Sequence, residues 1–235
     1  LKAGTAVILR GGKEAFRPNQ GVAEVPRDAL EAGGLPRDGV QLVRDTSRQS
    51  AGELMALTQY LDVLIPRGGA GLIRSVKENA KVPVIETGVG NCHAYVDASA
   101  DLRMAAEVVY NGKCSRPSVC NALETLLVHK DIAEQALPLI QSKLGEKQVE
   151  LRGCERARAI LPGVTPATEE DWETEYGDYI LAVKVVDSLE EALAHIAKYS
   201  SGHSEVILTR DYQAAQRFLE EVDAAAVYVN ASTRF

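Results

Sequence analysis

Several features are missing from this sequence, and each absence narrows what the chain can be. No apolar run approaches the roughly 20 residues of a membrane-spanning helix, and no basic-then-apolar leader opens the sequence, so a soluble, cytoplasmic protein is expected. A cationic surplus is also missing. Twenty-six Lys and Arg stand against 33 Asp and Glu, a net charge of −7, and a nucleic-acid partner would need a basic face. A small anion held by a few local cations remains compatible with that balance. The four cysteines, Cys92, Cys114, Cys120 and Cys154, form no CxxC pair, and no Cys/His cluster has zinc-ligand spacing. Neither a metal site nor a disulfide frame is therefore expected, and each thiol is either core filler or a nucleophile. There is no internal repeat and no low-complexity tract. Position 1 is Leu rather than Met, and Phe235 directly follows a strand-like run, as expected of a fragment cut at both ends.

What is present is a regular alternation of short apolar runs with helical periodicity. Strands are predicted over residues 6–9, 40–43, 63–65, 82–85, 94–96, 126–128, 180–186, 206–208 and 226–229. Helices are predicted over 19–30, 52–61, 72–80, 102–110, 132–144, 189–199 and 212–222. Short buried-type strands between helices indicate an α/β fold with parallel sheets covered on both faces. The glycine-rich turn near Gly88 to Gly90 divides it into residues 1–90 and 91–235. Residues 162–177, polar and acidic, give no clear pattern.

Four constellations can carry chemistry. Arg10-Gly11-Gly12-Lys13 follows the first strand, where the glycines let a ligand approach the backbone and Lys13 offers a point charge; an ordinary turn with a solvated lysine has the same sequence. Pro66-Arg67-Gly68-Gly69-Ala70-Gly71 leads from a strand into a helix, whose first N–H groups attract a pyrophosphate, yet GxGxxG spacing is not met. Arg116-Pro117-Ser118-Val119-Cys120-Asn121 sets Cys120 in a turn with Arg116 and Lys113 as neighbouring cations, although an isolated cysteine is as readily core. Asn230-Ala231-Ser232-Thr233-Arg234 combines an amide, two hydroxyls and a guanidinium fork suited to an anion, or forms a plain polar loop. Glu86, at a strand end, is a general base or a cap. His129 and His195 read most simply as surface or element-end residues.

These motifs, with Cys92-His93-Ala94-Tyr95-Val96-Asp97 and the run from Lys2 to Glu14, resemble the gamma-glutamyl phosphate reductase family within the aldehyde dehydrogenase superfamily. The resemblance implies a parallel nucleotide-binding sheet in residues 1–90 and a second α/β catalytic lobe in 91–235. It implies NADP(H), with Lys13, Gly11, Gly12, Gly68 and Gly69 on the dinucleotide and Glu175 steadying the nicotinamide ribose. Phe16 followed by Arg17, where NAD-preferring relatives place a carboxylate, favours a 2′-phosphate. Cys120 is the implied nucleophile in the reduction of glutamyl phosphate to glutamate 5-semialdehyde with release of phosphate. Arg116, Asn230, Ser232, Thr233 and Arg234 are the implied holders of substrate carboxylate or phosphate. A homo-oligomer and a functional partnership with glutamate 5-kinase are expected, without nucleic acid or membrane. The alternatives are hydrolytic aldehyde oxidation with Glu86 as base, or an inactive, binding-only piece of a bifunctional synthase.

Overall fold

The structure, a computed structural model, describes residues 4–85 and 89–234. It contains two compact units, Leu1–Thr87 and Gly88–Phe235. Among the described residues no helix is long and apolar enough to cross a membrane.

In the first unit, β1 (Val7–Leu9) pairs in parallel with β2 (Val40–Leu42), and α1 (Phe16–Ala32) forms the crossover between them. The unit adds α2 (Arg48–Ala56) and α3 (Ala70–Asn79). The predicted 52–61 helix begins earlier, because the Ser47 hydroxyl caps it by accepting the Ser50 N–H at 3.1 Å. The strands predicted over 63–65 and 82–85 are reduced to a single parallel bridge, Leu64 to Val84. Their apolar side chains gain little from pairing here, since Ile65 is 66% and Ile85 59% exposed.

The second unit is built on seven parallel strands in the order β6-β5-β7-β4-β3-β8-β9. In chain order they and their helices are β3 (Cys92–Val96), α4 (Leu102–Cys114), β4 (Leu123–His129), α5 (Lys130–Gly145), β5 (Glu150–Gly153), α6 (Glu155–Ile160) and β6 (Thr165–Pro166). There follow β7 (Ile180–Val186), α7 (Leu189–Tyr199), β8 (Ser204–Leu208), α8 (Tyr212–Glu221) and β9 (Ala226–Val229). Alternation along the strands sorts the core into two layers. Ala94, Val96, Leu126, Val128, Val183 and Leu208 meet α4, α5 and α6 on one face. Tyr95, Leu127 and Ile207 meet Ile196 of α7 and Phe218 of α8 on the other. Each such large side chain, removed from water, contributes about 1.5–3 kcal/mol, which is why these strands are almost uninterrupted apolar runs. Side-chain caps from Asp101, Ser188 and Asp211 start α4, α7 and α8.

Two readings of the sequence need correction. β5 was not foreseen, because Glu150 and Arg152 flank Leu151 and bridge to each other at 2.9 Å, disguising a strand as charged surface. His195 is not a surface residue. It is 4% exposed, packed edge-on to Trp172 and His93 with the Tyr199 ring 4.5 Å away, and burial, reinforced by His93 and Lys184, lowers its pKa to about 3.

Candidate active site

Because all seven strands of the second unit are parallel, the segments that precede them gather at one sheet edge. Gly90 and Asn91 lead into β3, Cys120 to Ala122 into β4, and Glu175 to Gly177 towards β7. Cys120 therefore sits at the amino edge of this sheet, on a turn closed by the Ala122 N–H donating to the Val119 carbonyl at 2.9 Å.

The Cys120 side chain is exposed while its backbone is held tightly. The Cys92 thiol, fully buried at the start of β3, donates to the Cys120 carbonyl at 3.3 Å. Burial pushes the Cys92 thiol well above the usual range, with Glu205 adding to the effect, so Cys92 remains a neutral donor and a poor nucleophile. Gly90 packs so closely that a Cβ there would lie 1.7 Å from the Cys120 carbonyl oxygen. Of the four cysteines, Cys92 and Cys114 are buried, and the Cys154 sulfur caps α6, accepting the Ala157 N–H at 3.5 Å. Cys120 is the one exposed thiol.

The terminal motif folds back towards this turn. Asn230 adopts φ +55, a left-handed conformation that asparagine tolerates better than most residues. Its amide makes two bonds to one residue: Oδ1 accepts the Thr209 N–H at 2.9 Å and Nδ2 donates to the Thr209 carbonyl at 2.8 Å. Asn230 thus braces the turn through Thr209. Thr233 is 1% exposed and packs over Gly112 near the end of α4. Arg234 donates through Nη1 to Asn121 Oδ1 and through Nε to Ser115 Oγ at 3.4 Å, and its N–H donates to Ser232 Oγ at 3.1 Å. Arg234 is thus tied to Asn121, the residue after Cys120, and to Ser115 and Ser232, with guanidinium N–H groups left over for an anion. Asn121 and Ser115 had not been singled out, since nothing local marks a residue whose partner lies more than 100 positions away.

The two cations expected near the thiol part company. Arg116 is exposed and has no partner among the described residues. Lys113 is not a free charge, because it is 0% exposed and its ammonium lies 2.6 Å from Glu124 Oε2. Glu175 is half-buried with no partner among the described residues. Glu86 lies outside the described residues.

In the first unit, Lys13 opens a short 3-10 helix beyond β1 and is exposed, as are Gly12 and Arg17. Arg10 is taken up by the Thr46 and Ser47 carbonyls, at 3.2 and 2.7 Å. Gly69 is the N-cap of α3 and offers no side chain to its first N–H groups, which suits an anionic ligand. Within this unit, an uncapped helix start and a solvent-facing lysine suit the phosphates of a nicotinamide dinucleotide.

The model of the Aldehyde dehydrogenase family matches residues 1–167. A gamma-glutamyl phosphate reductase of Carboxydothermus hydrogenoformans is 62% identical over all 235 residues, which cover 57% of that protein. The crystal structure of gamma-glutamyl phosphate reductase from Thermotoga maritima superimposes with a TM-score of 0.96 at 52% identity, over 100% of this chain and 56% of that one. An engineered glycolyl-CoA reductase with bound NADP+ shares the fold at a TM-score of 0.73 and 18% identity, over 98% of this chain and 60% of that one. The chain spans somewhat over half the length of the curated relatives it matches. It belongs to the aldehyde dehydrogenase family.

Proposed function

We propose that the chain carries the thiol and anion-binding machinery for reducing L-glutamyl 5-phosphate to L-glutamate 5-semialdehyde, with release of phosphate, in proline biosynthesis. The observation that carries this reading is the pairing of an exposed Cys120, on a clamped backbone, with an Arg234 guanidinium anchored through Asn121 and Ser115. Relatives at about 60% identity that bear the name gamma-glutamyl phosphate reductase support the choice of substrate.

In the proposed reaction the Cys120 thiolate bonds to the acyl carbon of glutamyl phosphate. The Cys120 N–H stabilises the oxyanion that develops there. The carbon–oxygen bond to phosphate then breaks, phosphate leaves with the electron pair, and a thioester remains on Cys120. NADPH, when bound, would supply the hydride for reducing this thioester. The resulting hemithioacetal collapses, returning the electron pair to sulfur and releasing the aldehyde. No water attacks at any stage, so no deacylating base is needed. Arg234, Ser232 and Arg116 hold the substrate carboxylate or the departing phosphate, while Asn230 and Thr233 fix the turn that presents Arg234. Lys13 would hold the adenosine ribose, the backbone at Gly11, Gly12, Gly68 and Gly69 the phosphates, and Glu175 the nicotinamide ribose. The cofactor is NADP(H) rather than NAD(H), because Phe16 and Arg17 bring no carboxylate against a 2′-phosphate. A glutamate 5-kinase is the partner that such a labile acyl phosphate requires.

The test is the reverse reaction in the intact natural polypeptide: NADP+ reduction by glutamate 5-semialdehyde, with and without phosphate. Strict dependence on phosphate is expected. Turnover that proceeds equally well without phosphate overturns the reading in favour of hydrolysis.

A further inference from the structure

Lys113, in the last turn of α4, and Glu124, second residue of β4, are both 0% exposed, and their Nζ and Oε2 atoms are 2.6 Å apart. Withdrawing both charges from water costs several kcal/mol per ion, and an apolar pair of equal volume would join α4 to β4 at least as well. Burial pushes the Glu124 carboxyl up to about 7 and the Lys113 ammonium below its ordinary range, against the favourable effect of each on the other. Cohesion alone therefore does not explain the pair.

It makes one contact that no apolar pair could. Glu124 Oε1 accepts the Gly177 N–H at 3.2 Å, fixing a residue with φ +62 in a segment without regular structure. The Lys113 ammonium lies 5.9 Å from the centre of the Tyr176 ring, and the Arg152 guanidinium 5.2 Å from it. The Tyr176 hydroxyl donates to Asp171 Oδ1 at 2.8 Å, which also takes Arg152 at 2.8 Å. Thr174 donates to the Glu170 carbonyl at 2.7 Å. Each neighbour of Glu175 in the 174–177 segment is thus tethered, while the Glu175 side chain has no partner among the described residues. Glu124 lies only four positions after Cys120 on the strand that the Cys120 turn enters.

We propose that Lys113 and Glu124 are positioning residues that hold the 174–177 segment in register with the Cys120 turn, so that Glu175 is presented to the nicotinamide ribose of the dinucleotide. This inference rests on the roles assigned above to Cys120 and Glu175. It adds a buried ion pair, touching neither substrate nor cofactor, that sets cofactor affinity.

The experiment uses the intact natural polypeptide carrying Lys113→Met together with Glu124→Met, which removes both charges and strands neither. The KM for NADPH should rise about tenfold or more, with kcat at saturating NADPH reduced less than about threefold. Alkylation of Cys120 by iodoacetamide should keep its rate within about twofold, because Cys120 is held separately by Gly90 and Cys92. In hydrogen exchange, the Gly177 amide should lose protection while those of α5 keep theirs. Unchanged protection of Gly177 overturns the proposal, as does a uniform loss of protection, alkylation rate and kcat across the unit. Glu175→Gln in the unaltered background tests the ribose role separately. If that substitution leaves the NADPH KM unchanged, the Glu175 assignment itself is wrong, even where the paired variant loosens the segment.

Discussion

Gly90→Ala is the substitution whose effect the structure defines most sharply. The added Cβ would fall 1.7 Å from the Cys120 carbonyl oxygen, 2.4 Å from its carbon and 2.5 Å from the Cys120 Cα. All three are backbone atoms, so no rotamer change can relieve the clash. To restore even a 3.0 Å contact, the Cys120 backbone or the Gly90 segment must retreat by more than about 1 Å. Gly90 is buried at the entrance to β3, whereas the Cys120 turn is exposed on its outer side, so the turn is the part that moves. A displacement of about 1 Å in a reacting atom costs on the order of 100-fold in rate. The turn can yield locally, so the loss in stability should stay within about 1–3 kcal/mol. The assay compares kcat, the thermal melting point and the rate of Cys120 alkylation for Gly90→Ala with those for Gly145→Ala, where a Cβ meets nothing within 4 Å. The expected result is a folded Gly90→Ala protein with kcat down about 100-fold and Gly145→Ala at wild-type levels. Wild-type turnover in Gly90→Ala would refute the view that this contact fixes the nucleophile.

Further expectations follow from other parts of the second unit. His195 binds no proton in the folded state until about pH 3, whereas an unfolded histidine titrates near 6.5, so its contribution is complete above pH 6.5 and is lost as pH falls towards 3. The loss should reach about 2 kcal/mol by pH 5, read as a difference in the pH dependence of denaturant midpoints between wild type and His195→Gln; parallel curves would contradict it. Asn230→Ala removes both bonds to Thr209 and places a less tolerant residue at φ +55, which should cost about 1–3 kcal/mol in urea unfolding and raise the substrate KM by displacing Arg234. Arg234→Lys gives up the planar fork that spans Asn121 and Ser115, and should raise the substrate KM about tenfold or more while Cys120 alkylation stays normal.

The parts of this protein that were legible from sequence are those encoded locally. Apolar runs such as Leu126-Leu127-Val128 and Val206-Ile207-Leu208 announce buried parallel strands, because their neighbours in the sheet need only be apolar. The turn around Cys120 was legible for the same reason: Pro117 ends α4's reach and the following run is unmistakably a strand. What escaped depends on partners distant in the chain. Lys113 looks like a solvated cation until β4 brings Glu124 against it, and His195 looks like a helix-surface residue until Trp172 and His93 close over it. Asn230 suits an anion site by composition, yet its amide matches the two backbone groups of Thr209, a pairing no local pattern shows. β5 was hidden because its outward positions carry an ion pair that resembles surface charge.

The chemical identity of the nucleophile can be tested by trapping. The intact natural polypeptide is mixed with glutamate 5-semialdehyde and NADP+ in the absence of phosphate, and the protein is examined by intact-mass and peptide mass spectrometry. One glutamyl adduct per chain is expected, on the peptide containing Cys120, released on adding phosphate and absent from Cys120→Ser. An adduct carried instead by Cys92, Cys114 or Cys154, or normal turnover in Cys120→Ser, would contradict the assignment of Cys120.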